Sequence, residues 1–403
     1  MGMIYGDVLD GLSKIESNSI DTVISSPPYY GLRDYGKEGQ WGLEETPELY
    51  LLHMTRFMEQ IKRVLKDSGT CWINLGDTYA GSGKGAWKEK NKSKETPETI
   101  PDKRYKLKED VPKKSKLMIP ERFALNCVMD NWILRNDIIW YKRNRMPFSG
   151  KDRFTNSFEH IYFFAKSNKY YFDLDPIREA CITEYKPFNV RVRDSDKNRF
   201  LQGATDEEVK KYRKNLNIPG QQPHSKDMQR HSGIYGPNGK SMNNPKGKNP
   251  GDMWDITVKP FKGSHYATFP IDIPLRIIKC ACPEQLCNKC GKARESIVKR
   301  TTLTDTTKIR TMKIEKSQYK LGKSSGLRLT GGGDTYNAWK EQNPDILIGY
   351  TDCGCNAGFK PGIVLDPFMG SGTTAQAAQQ LGRDWIGIDI DKRNDELLRK
   401  RLG

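Results

Sequence analysis

The tetrapeptide Ser26-Pro27-Pro28-Tyr29 has the residue types and order needed to bind and activate an aromatic amine. It follows the apolar segment 20–24, which reads as a buried strand, and its two prolines end that strand in a rigid loop. A hydroxyl and a proline carbonyl could accept the N–H bonds of the amine, and the tyrosine ring could stack against it. An aromatic amine is a weak nucleophile because its lone pair is delocalised, so two acceptors would make that lone pair available. The alternative is a proline-rich turn whose tyrosines, at positions 29 and 30, belong to the core.

A glycine-containing segment has the pattern of a nucleotide-cofactor site. A short apolar strand ends at Asp366, Gly370 and Gly372 follow, and a helix then begins. Glycines let the backbone approach a ligand closely, and the start of a helix presents free N–H groups. A second strand ends at Asp389, 19 residues after Gly370, where a carboxylate can accept the ribose hydroxyls of an adenosine cofactor. A dinucleotide also fits, since Ala375 is allowed at the third small position, and a purely structural turn is the remaining alternative.

Four of the nine cysteines have the spacing of a structural zinc site. These four are Cys287, Cys290, Cys353 and Cys355. A Cys-x-x-Cys pair with a distant Cys-x-Cys pair supplies the four thiolates that Zn²⁺ binds tetrahedrally. Cys280 and Cys282 lie close by in the sequence and are rival ligands, and four free thiols are the other alternative.

The charge distribution points to a polyanionic partner. The 403 residues carry a net charge of +17; the polar segments 84–116, 183–262 and 287–355 together carry +19, so the rest of the chain carries −2. Nucleic acid is the first candidate and an anionic membrane the second, whereas solubility alone is the alternative. We interpret the three segments as arms that bind phosphates rather than as solvated insertions.

The apolar segments alternate between strand and helix, which predicts an α/β sheet. Helices are expected at Val8–Ile15, Leu49–Leu65 and Ile119–Asn131, and strands at Thr70–Leu75, Trp132–Tyr141 and His160–Ala165. No apolar run approaches the roughly 20 residues of a membrane span, and no secretory leader is evident. We therefore expect a cytoplasmic, nucleoid-associated protein without a membrane partner.

With both motifs identified, the chain resembles a known family. Ser26-Pro-Pro-Tyr29 and Asp366-Pro-Phe-Met-Gly-Ser-Gly-Thr-Thr374 resemble the catalytic and cofactor motifs of amino-methylating DNA methyltransferases, in the order of the β group. The resemblance covers residues 3–180 and 263–403. It implies a permuted Rossmann-like sheet with helices on both faces, S-adenosylmethionine rather than NAD, and base flipping of double-stranded DNA with direct methyl transfer.

The resemblance assigns roles residue by residue. Binding of the target amine and base falls to Ser26, Pro27, Pro28 and Tyr29. Cofactor contacts fall to Asp7, His265, Thr268, Phe269, Asp366, Pro367, Phe368, Gly370, Gly372, Thr373 and Asp389. The histidine belongs to the stretch His265-Tyr-Ala-Thr-Phe-Pro270 and could equally be a structural histidine.

The first residue of the catalytic motif bears on the target base. Serine there is associated with enzymes that methylate N4 of cytosine, and aspartate with enzymes that methylate N6 of adenine. We therefore predict N4 of cytosine, with N6-adenine, and more distantly RNA or protein, as alternatives. Cytosine-C5 chemistry is disfavoured because the sequence contains no Pro-Cys dipeptide.

The same resemblance divides the chain. Residues 1–182 would form the catalytic half with the basic loop 84–116, and 183–262 the target-recognition region. Residues 263–286 and 356–403 would form the cofactor-binding half, and 287–355 an insertion clamped by zinc. Cys282-Pro-Glu284 matches a scaffold segment of relatives, which makes Cys282 a poor zinc ligand. Relatives also admit a restriction endonuclease as a partner.

Overall fold

A computed structural model describes residues 2–81, 111–145, 148–179, 248–258, 269–299 and 346–403. The chain forms two compact units. The first comprises Met1–Ile177, Gly251–Val298 and Leu347–Gly403, and the second comprises Arg178–Pro250 and Lys299–Ile346. Because few residues of the second unit are described, the fold below is that of the first.

The strands are β1 (Gly2–Tyr5), β2 (Ile20–Ser25), β3 (Leu65–Leu75), β4 (Ile133–Tyr141), β5 (Phe158–Ala165), β6 (Met253–Asp255), β7 (Leu286–Cys287), β8 (Ser296–Lys299), β9 (Ile346–Tyr350), β10 (Phe359–Lys360), β11 (Ile363–Asp366) and β12 (Asp384–Asp389). The helices are α1 (Val8–Ser13), α2 (Pro47–Val64), α3 (Ile119–Met129), α4 (Asp272–Ala281), α5 (Thr373–Gln380) and α6 (Asn394–Leu402). Within the described ranges, no helix combines the length and apolarity needed to cross a bilayer.

Eight strands form one sheet in the order β1-β12-β11-β2-β3-β5-β4-β6. The strands from β1 to β3 in that order are parallel, and β5 is antiparallel to both of its neighbours. From β11 the chain continues outward through β12, whereas β2 on its other side leads to β3. The strand order therefore reverses between β11 and β2, and α/β sheets bind ligands at the carboxyl ends of the strands at such a point.

Both faces of the sheet are covered by helices, as predicted. Side chains alternate along each strand, so Cys71 and Ile73 of β3 face one core, which contains residues of α1, α2 and α3. Trp72, between them, faces a second core that contains residues of α4 and α5. Its ring stacks on Phe163 of β5 at 4.0 Å. The α/β fold predicted from the sequence is confirmed.

Helix α2 shows how local signals set an element's bounds. The Thr46 hydroxyl accepts the Leu49 N–H (3.1 Å), and Pro47 occupies the first turn, where its missing N–H costs nothing. The helix therefore begins two residues before the predicted start. It ends at Val64, and β3 follows without a loop, so this strand is longer than Thr70–Leu75. Helix α1 ends at Ser13, two residues before the predicted end.

Candidate active site

The two motifs of the sequence meet at the carboxyl ends of β2 and β11. Ser25, the last residue of β2, donates a hydrogen bond from its hydroxyl to Asp366 Oδ1 (3.1 Å) at the end of β11. The strands pair in parallel, with Leu365 opposite Val23. The tetrapeptide 26–29 and the glycine loop thus begin side by side at the reversal of strand order.

The backbone of the tetrapeptide is held from α2 and from a neighbouring loop. The Tyr50 hydroxyl donates to the Pro28 carbonyl oxygen (3.0 Å). Gly42, at φ +89°, passes so close that a Cβ there would lie 2.7 Å from the Tyr29 carbonyl oxygen. Tyr30 is buried and its ring lies 5.6 Å from that of Tyr50. Tyr30 therefore belongs to the core, whereas Tyr29 is only partly buried and packs against the edge of the same core.

The Tyr29 hydroxyl is fixed by a polar cluster. It accepts a hydrogen bond from Ser26 Oγ (3.3 Å) and donates to Glu159 Oε2 (2.8 Å). Asn74 Oδ1 lies 3.1 Å from the hydroxyl, and the Asn74 amide donates to Glu159 (3.3 Å). Lys142 forms an ion pair with the same carboxylate. Burial, and next the charge of Glu159, raise the pKa of Tyr29 well above its usual value, so the phenol stays neutral.

Three members of this cluster, Asn74, Lys142 and Glu159, are not among the site residues predicted from the sequence. All lie on or next to strands beyond β2 in the sheet order, at the edge of the sheet where Tyr29 lies. A signal was present, because Asn74 lies within the otherwise apolar stretch 71–75 and Glu159 lies just before the apolar stretch 161–165. Which side chains they meet depends on the register of β3 with β5, which the sequence does not show.

Asp366 braces the glycine loop from inside. Thr374 Oγ1 donates to Asp366 Oδ2 (2.5 Å), and the Phe368 N–H donates to Oδ1 (3.1 Å). Burial raises the pKa of this carboxyl to about 6, although these donors oppose the shift. The Phe368 ring packs against the rings of Trp41 (5.6 Å) and Phe57 (5.5 Å), and Pro367 is buried. These predicted cofactor residues therefore also shape the loop.

Asp389 faces the glycine loop from the end of β12. Its carboxylate accepts the N–H groups of Gly370 (2.7 Å) and Asp391 (2.7 Å) and the amide of Asn394 (3.2 Å). Burial raises its pKa. The Gly6 N–H donates to the Asp389 carbonyl (3.0 Å), which brings the predicted residue Asp7 to the same edge. There the Asp7 carboxylate caps α1 by accepting the Leu9 N–H (2.8 Å).

The start of α5 offers polar groups to a ligand. Gly372 precedes the helix at φ +85° and no side chain caps its N–H groups. This φ favours glycine, and a Cβ on Gly372 would also lie 2.2 Å from Leu398 Cδ1 of α6, so the buried leucine side chain would have to shift. The Ser371 hydroxyl is buried and has no hydrogen-bond partner among the described residues. Thr373 Oγ1 accepts a hydrogen bond from Arg401 (2.5 Å). An orphaned hydroxyl beside uncapped N–H groups fits a polar cofactor.

Phe269, before α4, lines a small apolar cavity with Ser25 and Asn74. It thus lies near the start of the Ser26–Tyr29 loop, on the α4 face of the sheet. The predicted residues His265 and Thr268 lie outside the described residues, as do most of the segments 84–116 and 183–262.

The four predicted zinc ligands come together. The sulfur atoms of Cys287, Cys290, Cys353 and Cys355 all lie within 4.8 Å of one another. Tetrahedral zinc–thiolate bonds of about 2.3 Å place sulfur atoms about 3.8 Å apart, so the set fits Zn²⁺. Backbone N–H groups of Cys290 and Lys289 lower the pKa of Cys287 to about 6. Strand β7, which contains Cys287, pairs with β10, so the segments before and after the intervening residues lie side by side next to this cluster.

The rival cysteines belong to the scaffold. Cys280 and Cys282 are buried at the end of α4, in the core that contains this helix. Burial raises the pKa of both thiols to about 12. Neither is part of the four-sulfur cluster.

Comparison with known proteins agrees with this geometry. Residues 20–287 and 357–400 match the profile of the DNA methylase family of N6 and N4 methyltransferases. The chain is 26% identical to the type II methyltransferase M.SmaI of Serratia marcescens, over 99% of this chain and 90% of that protein. It is 31% identical to the type II methyltransferase M.Cfr9I of Citrobacter freundii, over 67% of this chain and 69% of that protein.

Among solved structures, the cytosine-N4-specific PvuII DNA methyltransferase aligns over 100% of this chain and 86% of that chain, at 13% identity and a TM-score of 0.49. The family profile accounts for most of the chain, and its match skips residues 288–356, which hold three of the clustered cysteines. The chain belongs to the DNA methylase family.

Proposed function

We propose that this protein is an S-adenosylmethionine-dependent DNA methyltransferase that methylates N4 of cytosine in double-stranded DNA. One observation carries the proposal. Ser25, which precedes the Ser26–Tyr29 loop, donates a hydrogen bond to Asp366, which precedes the glycine loop, so the loop proposed to bind the amine starts beside the loop proposed to bind the cofactor. Membership of the DNA methylase family supports the substrate class.

The residues around the glycine loop suit the cofactor. When bound, S-adenosylmethionine supplies an electrophilic methyl group on its sulfonium. The carboxylate of Asp389 would accept ribose hydroxyls through lone pairs not used by its backbone donors. The buried Ser371 hydroxyl and the N–H groups at the start of α5 would bind polar atoms of the cofactor. Asp7, Phe269, Gly370 and Thr373 would complete the contacts.

The catalytic loop would hold the flipped base by its amine. The Pro28 carbonyl is already bonded to Tyr50, so the acceptor roles fall to the Ser26 hydroxyl and the Pro27 carbonyl. Both would draw the amine hydrogens out of the ring plane and localise the lone pair for attack. The Tyr29 ring, fixed through its hydroxyl, would stack on the base and set its distance from the methyl group.

Cytosine is favoured over adenine by the residue at position 26. Serine there resembles the cytosine-N4 enzymes, and its hydroxyl is neutral and hydrogen-bonded to Tyr29. Adenine-N6 methylation on the same loop is the competing specificity. The type II methyltransferase relatives support a role in restriction-modification, with a restriction endonuclease as the functional partner.

We also propose a structural Zn²⁺ bound by the four clustered cysteines. The cluster lies beside the β7–β10 pair, at the base of the segment that the family profile skips. Zinc there would fix the two ends of that segment to the scaffold. Its role would be stability or DNA binding rather than methyl transfer.

Product analysis tests the proposal. The protein is incubated with S-adenosylmethionine and unmethylated DNA of varied sequence, and the digested nucleosides are identified by mass spectrometry. N4-methylcytosine is the expected product, and a Tyr29→Ala variant should produce almost none. N6-methyladenine would overturn the base assignment and keep the chemistry. The absence of any methylated nucleoside from all DNAs would overturn the proposed function.

A further inference from the structure

The loop between β4 and β5 is strongly basic and borders the catalytic site. We call residues 142–157 the β4–β5 loop; its two ends meet where the Lys142 N–H donates to the Ser157 carbonyl (2.7 Å). The loop contains five cations, Lys142, Arg143, Arg145, Lys151 and Arg153, and one acid, Asp152. Such a cluster on one loop attracts a polyanion.

Aromatic and backbone contacts hold the described part of this loop in place. The Arg153 guanidinium lies over the Tyr79 ring at 3.9 Å and over the Phe148 ring at 4.1 Å. Arg145 donates to the Asn156 carbonyl (2.7 Å), and the Tyr79 hydroxyl donates to the Asn156 side chain (3.1 Å). The loop therefore presents its remaining side chains from a braced frame.

Its positive charge is only partly neutralised. Asp152, the single acid of the loop, forms an ion pair with Lys114 from outside the loop (2.7 Å), so its charge does not neutralise a cation of the loop. Among the residues that the structure describes, no carboxylate lies within ion-pair distance of Arg145 or Lys151. These two cations are available to phosphates, for which guanidinium and ammonium groups are the usual partners.

Phe154 extends from the loop into solvent. It is 97% exposed, more than any other large hydrophobic residue of the described chain. An isolated exposed aromatic needs no explanation by itself. Phe154, however, directly follows Arg153 and belongs to a loop rich in cations. Proteins that unstack DNA bases place apolar or aromatic side chains in such basic surroundings.

The loop is directly linked to the site that would hold the flipped base. Lys142, at its start, pairs with Glu159, and Glu159 bonds the Tyr29 hydroxyl. A nucleotide extruded toward Tyr29 leaves its duplex at this edge of the sheet. Flipping costs a few kcal/mol of stacking and pairing, and a side chain that stacks on the bases left behind offsets part of that cost.

We propose that the β4–β5 loop contacts the DNA duplex, with Arg145 and Lys151 binding phosphates and Phe154 stacking on bases exposed by flipping. The proposal rests on the proposed function and adds the surface on which the duplex lies. It predicts that changes at Phe154 act on DNA distortion, whereas changes at Lys151 act on the electrostatic part of binding.

The test uses a duplex with the sequence that the wild-type protein methylates and 2-aminopurine at the target position. Binding of the wild type should raise the fluorescence as the base unstacks. Phe154→Ala should lose most of this rise and weaken binding by roughly 5- to 150-fold, the range for one stacked base. Phe154→Trp should retain both, because it keeps a flat ring.

Met129→Ala is the matched control. Met129 is 73% exposed and lies at the C-terminal end of α3. The N-terminal end of this helix is the one near the proposed site, since Asp77, which follows β3, accepts the Ile119 N–H there. This variant should behave as the wild type. Lys151→Gln should reduce the slope of log affinity against log salt by about 1. Calorimetry should show unchanged S-adenosylmethionine binding in every variant.

Wild-type fluorescence and affinity in Phe154→Ala would overturn the stacking role, and so would an equal loss in Phe154→Trp. An unchanged salt slope in Lys151→Gln would overturn the phosphate contact. Failure of the wild type to methylate any DNA is a different result, because it would overturn the proposed function and remove this proposal with it.

Discussion

Replacing Glu159 by glutamine is the sharpest test of how Tyr29, the proposed base-binding tyrosine, is held. Glu159 Oε2 accepts the Tyr29 hydroxyl at 2.8 Å and also accepts the Asn74 amide. Glutamine keeps the shape but removes the charge, and it leaves Lys142 without its carboxylate. A hydrogen bond to a charged group contributes about 1.5–3 kcal/mol. If that energy holds the ring in position, the variant should lose about 10- to 150-fold in kcat/KM.

The assay compares kcat and KM on one DNA duplex with calorimetric binding of S-adenosylmethionine. We expect the loss in kcat with cofactor affinity unchanged, because Glu159 bonds Tyr29 of the proposed base-binding loop and has no hydrogen bond to the glycine loop among the described residues. Glu396→Gln is the matched control, since its carboxylate pairs with Lys400 on the surface of α6. In a Tyr29→Phe background, which lacks the hydroxyl, Glu159→Gln should have little further effect. Activity within threefold of wild type, or full additivity of the two changes, would refute the reasoning.

Three further predictions concern the cofactor loop and the cysteines. Burial raises the Asp366 pKa to about 6, so the contribution of this carboxyl to stability should fall by at most about 3 kcal/mol as pH rises from about 4 to 6. The measurement is the free energy of unfolding of the wild type minus that of Asp366→Asn, which should decrease over this pH range. A constant difference would contradict the prediction. Gly372→Ala should lower the melting temperature and abolish cofactor binding in calorimetry, because its Cβ would clash with Leu398 and its φ is +85°; wild-type binding would contradict this. Elemental analysis should find one zinc per chain and less than half of that in Cys290→Ser, whereas zinc-free wild-type protein would rule the site out.

The sequence predicts the centre of the fold and the place of the site well. Strand-ending motifs at Ser26 and Asp366 are local patterns, and parallel strands bring their carboxyl ends to one edge. Spacing also indicates the four-cysteine cluster, but it leaves Cys280 and Cys282 as rival ligands, and only the fold shows that these two are buried in the core. Each of these features is formed by residues that are adjacent in the sequence, or by cysteine pairs that can bind a metal only together with other metal ligands.

What could not be predicted depends on contacts between distant strands. Glu159 and Asn74 meet Tyr29 only because β3 and β5 pair antiparallel in one register, and a shift by one residue would turn both away. The alternation of Tyr29 and Tyr30 between site and core is likewise a matter of packing against α2. The sequence pattern predicts Asp366 as a cofactor-binding residue, yet its carboxylate oxygens accept hydrogen bonds from Thr374 and Phe368 of the same segment.

The strand order has a consequence for how the protein is made. β1 pairs with β12, and β2 pairs with β11, so β1 and β2 are synthesised more than 300 residues before the strands with which they pair. Until then β2 exposes an edge whose side chains are all buried in the finished sheet. Contacts of such long sequence separation fold slowly and leave edges open to aggregation. The glycine loop is completed in the same late step, because its contact with Asp389 and the proposed cofactor site cannot form before β12 is in place.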